Sequence, residues 1–123
     1  MRLAPGAPVP PWADGGGFSS VTRTAQELSI VCRESGIPSG VEREGGWSLL
    51  ELAGPIPFTA VGVLASVLAP LARAGVSVFV MSTFDTDYLL VKRDRVRAAL
   101  DAIESAARER SRQGEDWDVE PGD

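Results

Sequence analysis

Val76–Lys92, VSVFVMSTFDTDYLLVK, is the stretch from which the fold of this chain can be read. Two apolar runs, Val76–Met81 and Tyr88–Val91, are rich in β-branched and aromatic residues, as a pleated, half-buried surface favours. Between them lies Ser82-Thr83-Phe84-Asp85-Thr86-Asp87, with two carboxylates and three hydroxyls. So many polar groups beside buried strands must meet water or a partner. Two readings are open: a solvated hairpin turn in which Asp and Thr bond their own backbone, or a loop that binds a ligand.

Outward toward the N-terminus, a helix is expected from about Thr59 to Ala74. Thr59 can cap it, Val63, Leu64, Val67, Leu68 and Leu71 form its apolar stripe, and Gly75 ends it. Pro70 predicts a kink or an early finish. Gly62, in the first turn, costs about 1 kcal/mol of helix propensity. Either it lets a ligand approach the helix N-terminus, where free N–H groups favour anions, or it lets helix and sheet pack closely. Before the helix, Ala53-Gly54-Pro55-Ile56-Pro57-Phe58 is a rigid loop. Trp47–Leu52 is a strand, with Trp47, Leu49 and Glu51 on one side and Leu50 and Leu52 on the other.

Outward toward the C-terminus, Asp94 is expected to cap a second helix running to about Arg112. Its apolar face is Val96, Leu100, Ile103 and Ala107, and its terminal charges are solvated. Gly114 stops it. Glu115–Asp123 reads as an acidic tail, with room for a short strand near Trp117–Val119. From Trp47 on, the order is therefore strand, helix, strand, strand, helix and a weak last strand. That is the split βαββαβ, or ferredoxin-like, α+β plan: an antiparallel sheet with both helices on one face.

The first 46 residues are different in kind. Residues 1–17 are rich in Pro, Gly and Ala, and Pro8, Pro10 and Pro11 bar a long helix. Trp12 needs a core to dock on, so this stretch reads as an ordered cover. Phe18–Thr24 and Glu27–Arg33 then form a hairpin, with Leu28, Ile30 and Cys32 on one face. These strands extend the later sheet or belong to a second, abbreviated copy of the unit. Cys32 reads as a small core hydrophobe.

The composition excludes several functions. With 44% hydrophobic and 24% charged residues in 123, the chain is an ordinary globular one. A net charge of −5 argues against nucleic acid or an anionic membrane as partner. No apolar run approaches a membrane span, and Met1-Arg2-Leu3-Ala4-Pro5 opens no signal peptide. One Cys and no His remove an internal disulfide, a CxxC pair, imidazole-held zinc and His-based nucleophile activation within the chain. No metal and no cofactor are expected, and the location expected is the cytoplasm. Lys92 is the single lysine, and no phosphate-binding glycine motif occurs. Carboxylate catalysis alone stays conceivable, but no residue pattern points to it.

Three blocks carry a resemblance. They are Gly17-Phe18-Ser19-Ser20-Val21-Thr22-Arg23-Thr24 leading to Glu27-Leu28-Ser29-Ile30-Val31; Gly54-Pro55-Ile56-Pro57-Phe58 leading to Gly62-Val63; and Val76-Ser77-Val78-Phe79 leading to Ser82–Tyr88. Together they resemble the ACT-domain regulatory family. The similar branch is that of small paired-ACT proteins related to the aspartokinase regulatory region and the animal cytosolic arginine sensor. The resemblance implies a shortened N-terminal ACT-like unit over 1–46, a full ACT unit over 47–113 and an acidic tail over 114–123. Family members usually begin with a further strand, so the first unit is expected to lack an edge strand.

The resemblance further implies a non-catalytic protein that binds a free amino acid between ACT units. Ser77 and Val78 would line the site from one unit, and Pro57, Phe58, Gly62, Val63, Thr83, Phe84 and Asp87 from the facing unit. Asp87 would pair with the ligand ammonium, N–H groups near Gly62 with its carboxylate, and Val78 backbone would add hydrogen bonds. Where the arginine sensor has an acidic residue for the guanidinium, this chain has Ala60, which favours a neutral amino acid over arginine. A site shared between units, with one full unit per chain, implies a homodimer. The open strand edge and the helix stripe Val63–Leu71 are the contacts expected. The alternative is an ACT-fold dimerisation module that binds no ligand.

Overall fold

The structure is a computed structural model that describes residues 1–52, 62–112 and 119–121. The chain divides into two units, Met1–Gly46 and Trp47–Asp123.

In the first unit, alternation along the chain makes the strands. Strands β1 (Arg2–Leu3), β2 (Ser20–Arg23) and β3 (Leu28–Val31) form a three-stranded antiparallel sheet in the order β1-β3-β2. The two expected strands thus pair with each other, in a sheet separate from that of the second unit. Leu28 and Ile30 are fully buried, and Ala13, Trp12, Cys32 and Leu3 pack with them. Ala13 and Trp12 belong to a 3-10 turn, Pro11–Asp14, so the proline-rich opening is the cover its lone Trp predicts. Arg23 fastens it by donating to the Pro5 and Ala7 carbonyls at 2.5 and 2.8 Å. The expectation of a missing edge strand is corrected: Arg2 and Leu3 pair with Ser29 and Leu28. Two residues suffice because Ile30 N–H also donates to Met1 O at 3.0 Å, and Arg2 N–H to Glu42 O at 3.1 Å.

The second unit has β4 (Trp47–Leu52), α1 (Val63–Arg73), β5 (Phe79–Ser82), β6 (Asp87–Lys92), α2 (Val96–Arg112) and β7 (Val119–Pro121). Its sheet is antiparallel in the order β5-β6-β4-β7, the order expected of the split βαββαβ plan. Leu50, Leu52, Leu89 and Val91 face both helices and form one core with Val67, Leu71, Val76, Ala99 and Ile103.

Local details depart from the sequence reading. Strand β5 begins at Phe79, not Val76, because Val76 is spent on the core where the chain turns out of α1. Its N–H donates back to Leu71 O at 2.9 Å. Strand β6 is longer by one residue at each end than expected. Helix α1 starts at Val63, with Gly62 as its N-cap at φ 82°; Thr59, the cap expected, lies outside the described residues. Pro70 is buried within α1, which runs on for one more turn to Arg73. Asp94 caps no helix, since Arg93–Arg95 form a 3-10 turn and α2 begins at Val96. Ala99 is the most buried of the described residues on α2, and it borders the stripe of larger side chains, one turn before Ile103. Residues Val119–Pro121 of the acidic segment pair with Leu52–Leu50 of β4. Pro121 is tolerated there because β7 is an edge strand. Trp117 and Gly114 lie outside the described residues.

Candidate functional site

The polar run of the central hairpin becomes the loop Thr83–Thr86, closed by the pair Ser82↔Asp87. Its Thr side chains are turned inward to the backbone. Thr83 N–H donates to Thr86 O at 2.8 Å, and Thr86 N–H donates to Thr83 Oγ1 at 3.3 Å. Ser82 Oγ donates to Asp87 Oδ1. These bonds are those of the solvated-turn reading, and they fix the loop. They leave Asp87, half-buried, with Oδ1 engaged by Ser82, and put Phe84 at the tip, 79% exposed.

Thr86 was not singled out by the sequence. It is the buried polar side chain among the described residues, 8% exposed, and its Oγ1 donates to Leu52 O at 2.7 Å. Leu52 is the last residue of β4 and fully buried. Thr86→Val keeps the shape and deletes the donor, which leaves a buried carbonyl short of a partner. The expected loss of stability is about 1–3 kcal/mol, read as a lower urea midpoint with an unchanged slope.

Gly62 answers one of its two sequence readings. A Cβ built there meets nothing within 4 Å, so close helix–sheet packing is not what needs the glycine. The backbone needs it, because φ 82° is the left-handed region that side chains with a Cβ disfavour. No side chain among the described residues caps this end. Gly62 O accepts from Ser66 N–H at 2.9 Å and from Ser66 Oγ at 2.8 Å, which starts the helix. Among the described residues, the N-terminus of α1 thus carries no capping side chain.

The candidate residues fall at two ends of the second unit. Helix α1 turns back into β5 through Ala74-Gly75, so the start of α1 and the end of β5 lie at the same end of the unit. The β4 end at Leu52 is tied to that end by Thr86. Gly62, Val63, Thr83, Phe84 and Asp87 are thus brought to one end. Ser77 and Val78 precede β5 at the other; the five steps from Val78 to Thr83 span about 16 Å of strand. Ser77 is exposed, and Val78 packs on the core edge. One unit does not bring these two groups together. Pro57, Phe58 and Ala60 lie outside the described residues.

The electrostatics at this end are acidic. Tyr88, one residue past the loop's closing pair, donates its hydroxyl to Glu51 Oε1 at 3.4 Å. Its pKa is pushed up by burial first, then by the charge of Glu51, their hydrogen bond and the charge of Asp85. Tyr88 is therefore a neutral donor at physiological pH. Elsewhere, burial pushes the half-buried Cys32 thiol up, against the smaller pull of the N-terminal amine, as suits a packing residue. Among the described residues no group of acids and sulfur could hold a metal ion, and no helix is long and apolar enough to cross a membrane.

Comparison with known proteins places this geometry. The family model described as an ACT domain matches residues 42–105. The chain belongs to the ACT-domain family. A second model, that of an N-terminal domain, matches residues 1–40 of this ACT protein. Subunit 1 of the cytosolic arginine sensor for mTORC1 from Rattus norvegicus is 32% identical over 59 residues, 47% of this chain and 18% of the sensor. The human protein CASTOR3P is 34% identical over 93 residues, 63% of this chain and 56% of its own length. The ACT protein thus spans little more than half of one curated relative and under a fifth of the other. Among solved structures, protein Atu0741 from Agrobacterium tumefaciens superposes with a TM-score of 0.80 at 45% identity, over 85% of this chain and 78% of that one. Protein VC0802 from Vibrio cholerae gives a TM-score of 0.58 at 25% identity, over 68% of this chain and 65% of that one.

Proposed function

We propose that this ACT protein is a non-catalytic regulatory protein that binds a free amino acid at an interface between two copies of its second unit. The observation that carries the reading is the division of the candidate residues between the two ends of β5. Strand β5 is an edge of its sheet, and Phe79 on it is half-exposed. Two β5 edges pairing antiparallel about a two-fold axis set Ser77 and Val78 of one copy beside Thr83–Asp87 of the other, twice. Asp87 then meets the ligand ammonium, held in place by Ser82, and the N–H groups at the N-terminus of α1 meet the carboxylate. Of the α1 stripe, Val67 and Leu71 are fully buried in the unit's own core, which leaves Val63, Leu64 and Leu68 as its partly exposed residues.

The likeness to arginine sensors supports an amino acid as the ligand class. Ala60 supports a neutral one: a guanidinium without an anionic partner would cost several kcal/mol to desolvate. Ala60→Glu is expected to improve arginine relative to a neutral amino acid by about tenfold, as read by isothermal titration of both proteins. Wild-type protein preferring arginine would assign the charge to another acid, such as Asp85.

The second reading is an ACT dimerisation module without ligand, favoured by the internal bonds that Thr83 and Thr86 make. A thermal-shift panel of the free amino acids separates the two. An amino acid present at 100 times its Kd adds about 2.7 kcal/mol to the folded state. A panel that leaves the transition unmoved, from a protein that sediments as a dimer, selects the module.

A further inference from the structure

We propose that Glu34 is the latch of a surface loop running from Glu34 to Gly46, closed at its neck by the Glu34 carboxylate and opening as one piece when that contact is broken. The latch goes beyond the amino-acid-site reading and does not depend on it.

The neck joins residues 12 apart in sequence, where Gly46 N–H donates to Glu34 Oε2 at 3.2 Å. Burial gives the loop little to hold it. Ile37 and Val41 are half-buried, and the other residues from Ser35 to Glu44 are exposed. Polar ties take the place of a core. Arg43 Nη1 donates to Ile37 O at 3.0 Å, and Glu42 O accepts from Arg2 N–H at 3.1 Å. A surface loop of this length with its ends held together behaves as a compact unit. The two glycines at the neck are there for different reasons. Gly46 has φ 81°, in the left-handed region that a Cβ disfavours. Gly45 has no such angle, yet a Cβ on it would fall on Glu34 Oε1 and lie 2.8 Å from Glu34 Cδ. The carboxylate can lie against the chain here because position 45 has no side chain. The charge-assisted bond at the neck thus needs three things at once: the acid at 34, the N–H of Gly46 and the space at Gly45.

Limited trypsin digestion of the full chain, read by mass spectrometry, tests the latch at the exposed Arg43–Glu44 bond. Glu34→Ala is expected to raise the rate of cleavage after Arg43 several-fold, with cleavage after Arg97 in α2 unchanged. Glu34→Gln, which keeps an acceptor but not the charge, should fall between. Gly45→Ala is the deciding variant. In the wild-type background its Cβ displaces the carboxylate, so cleavage after Arg43 should again rise several-fold. In the Glu34→Ala background that space is empty. There Gly45→Ala should leave the rate unchanged or lower it, because alanine restricts the open chain more than glycine does. An equal rise in both backgrounds would overturn the latch, since position 45 would then need glycine for its backbone alone. Glu34→Ala cleaving at the wild-type rate would overturn it too, as would cleavage rising together after Arg43 and Arg97. If Glu34→Ala does not fold, Glu34→Ser takes its place as the second background.

Discussion

Asp87→Asn is expected to weaken binding of the cognate amino acid by about 10- to 150-fold, the equivalent of roughly 1.5–3 kcal/mol for a charge-assisted bond lost from a desolvated site. The substitution is nearly isosteric. The Asn carbonyl can still accept from Ser82 Oγ, which now donates to Asp87 Oδ1, so the loop should keep its shape. What goes is the negative charge proposed to face the ligand ammonium. The fold should therefore melt close to the wild-type temperature in the absence of ligand while the ligand-induced shift collapses. Isothermal titration reads the affinity, and a scan without ligand reads the fold. Equal affinity in the two proteins would make Asp87 a turn residue only and would favour the ligand-free module.

Leu89→Ala should have the largest effect on the fold itself. Leu89 lies in the middle of β6, paired to Leu50 on one side and Val80 on the other, and it is fully buried under the helices. It holds the face on which Val67, Leu71, Ala99 and Ile103 rest. Truncation removes its transfer free energy and leaves a cavity that neighbouring strands cannot close, at a cost of about 2–5 kcal/mol. That is a large share of what a domain of this size has. Urea titration followed by circular dichroism should show the helical signal lost at a much lower midpoint. A loss under about 1 kcal/mol would mean that the helices do not depend on β6 for their packing.

The order of elements in the second unit was legible because its hydrophobic patterns change period where the elements change. Trp47–Leu52 and Tyr88–Val91 are apolar runs of strand length, and Val63–Leu71 repeats as a helix does. The boundaries were less legible, each for a physical reason. Val76 is apolar because it sits in the core at a turn, which an apolar count cannot tell from a strand. Asp94 has the composition of a cap, but the chain uses a 3-10 turn there. The strand at Val119–Pro121 hides in an acidic segment because three residues are too few to show a period. In the first unit, Arg2–Leu3 is too short to show any period.

The candidate site was legible only through family likeness. The residues of the 82–87 run looked like a ligand loop and like a turn, and the structure gives them the bonds of a turn while leaving Asp87 and the α1 N-terminus at the same end. The role of Gly62 as a left-handed N-cap, and the Thr86 bond to Leu52, depend on backbone angle and on contact across 34 residues. Neither leaves a mark in local composition. Thr83 and Thr86 look alike in sequence, yet one is exposed and the other buried.

Native mass spectrometry of gently isolated protein tests the central claim most directly. The account predicts a dimer carrying up to two small molecules of amino-acid mass, released on denaturation and greatly reduced in Asp87→Asn. A dimer whose mass equals that of two bare chains, and which takes up none of the twenty amino acids added at millimolar concentration, would contradict it.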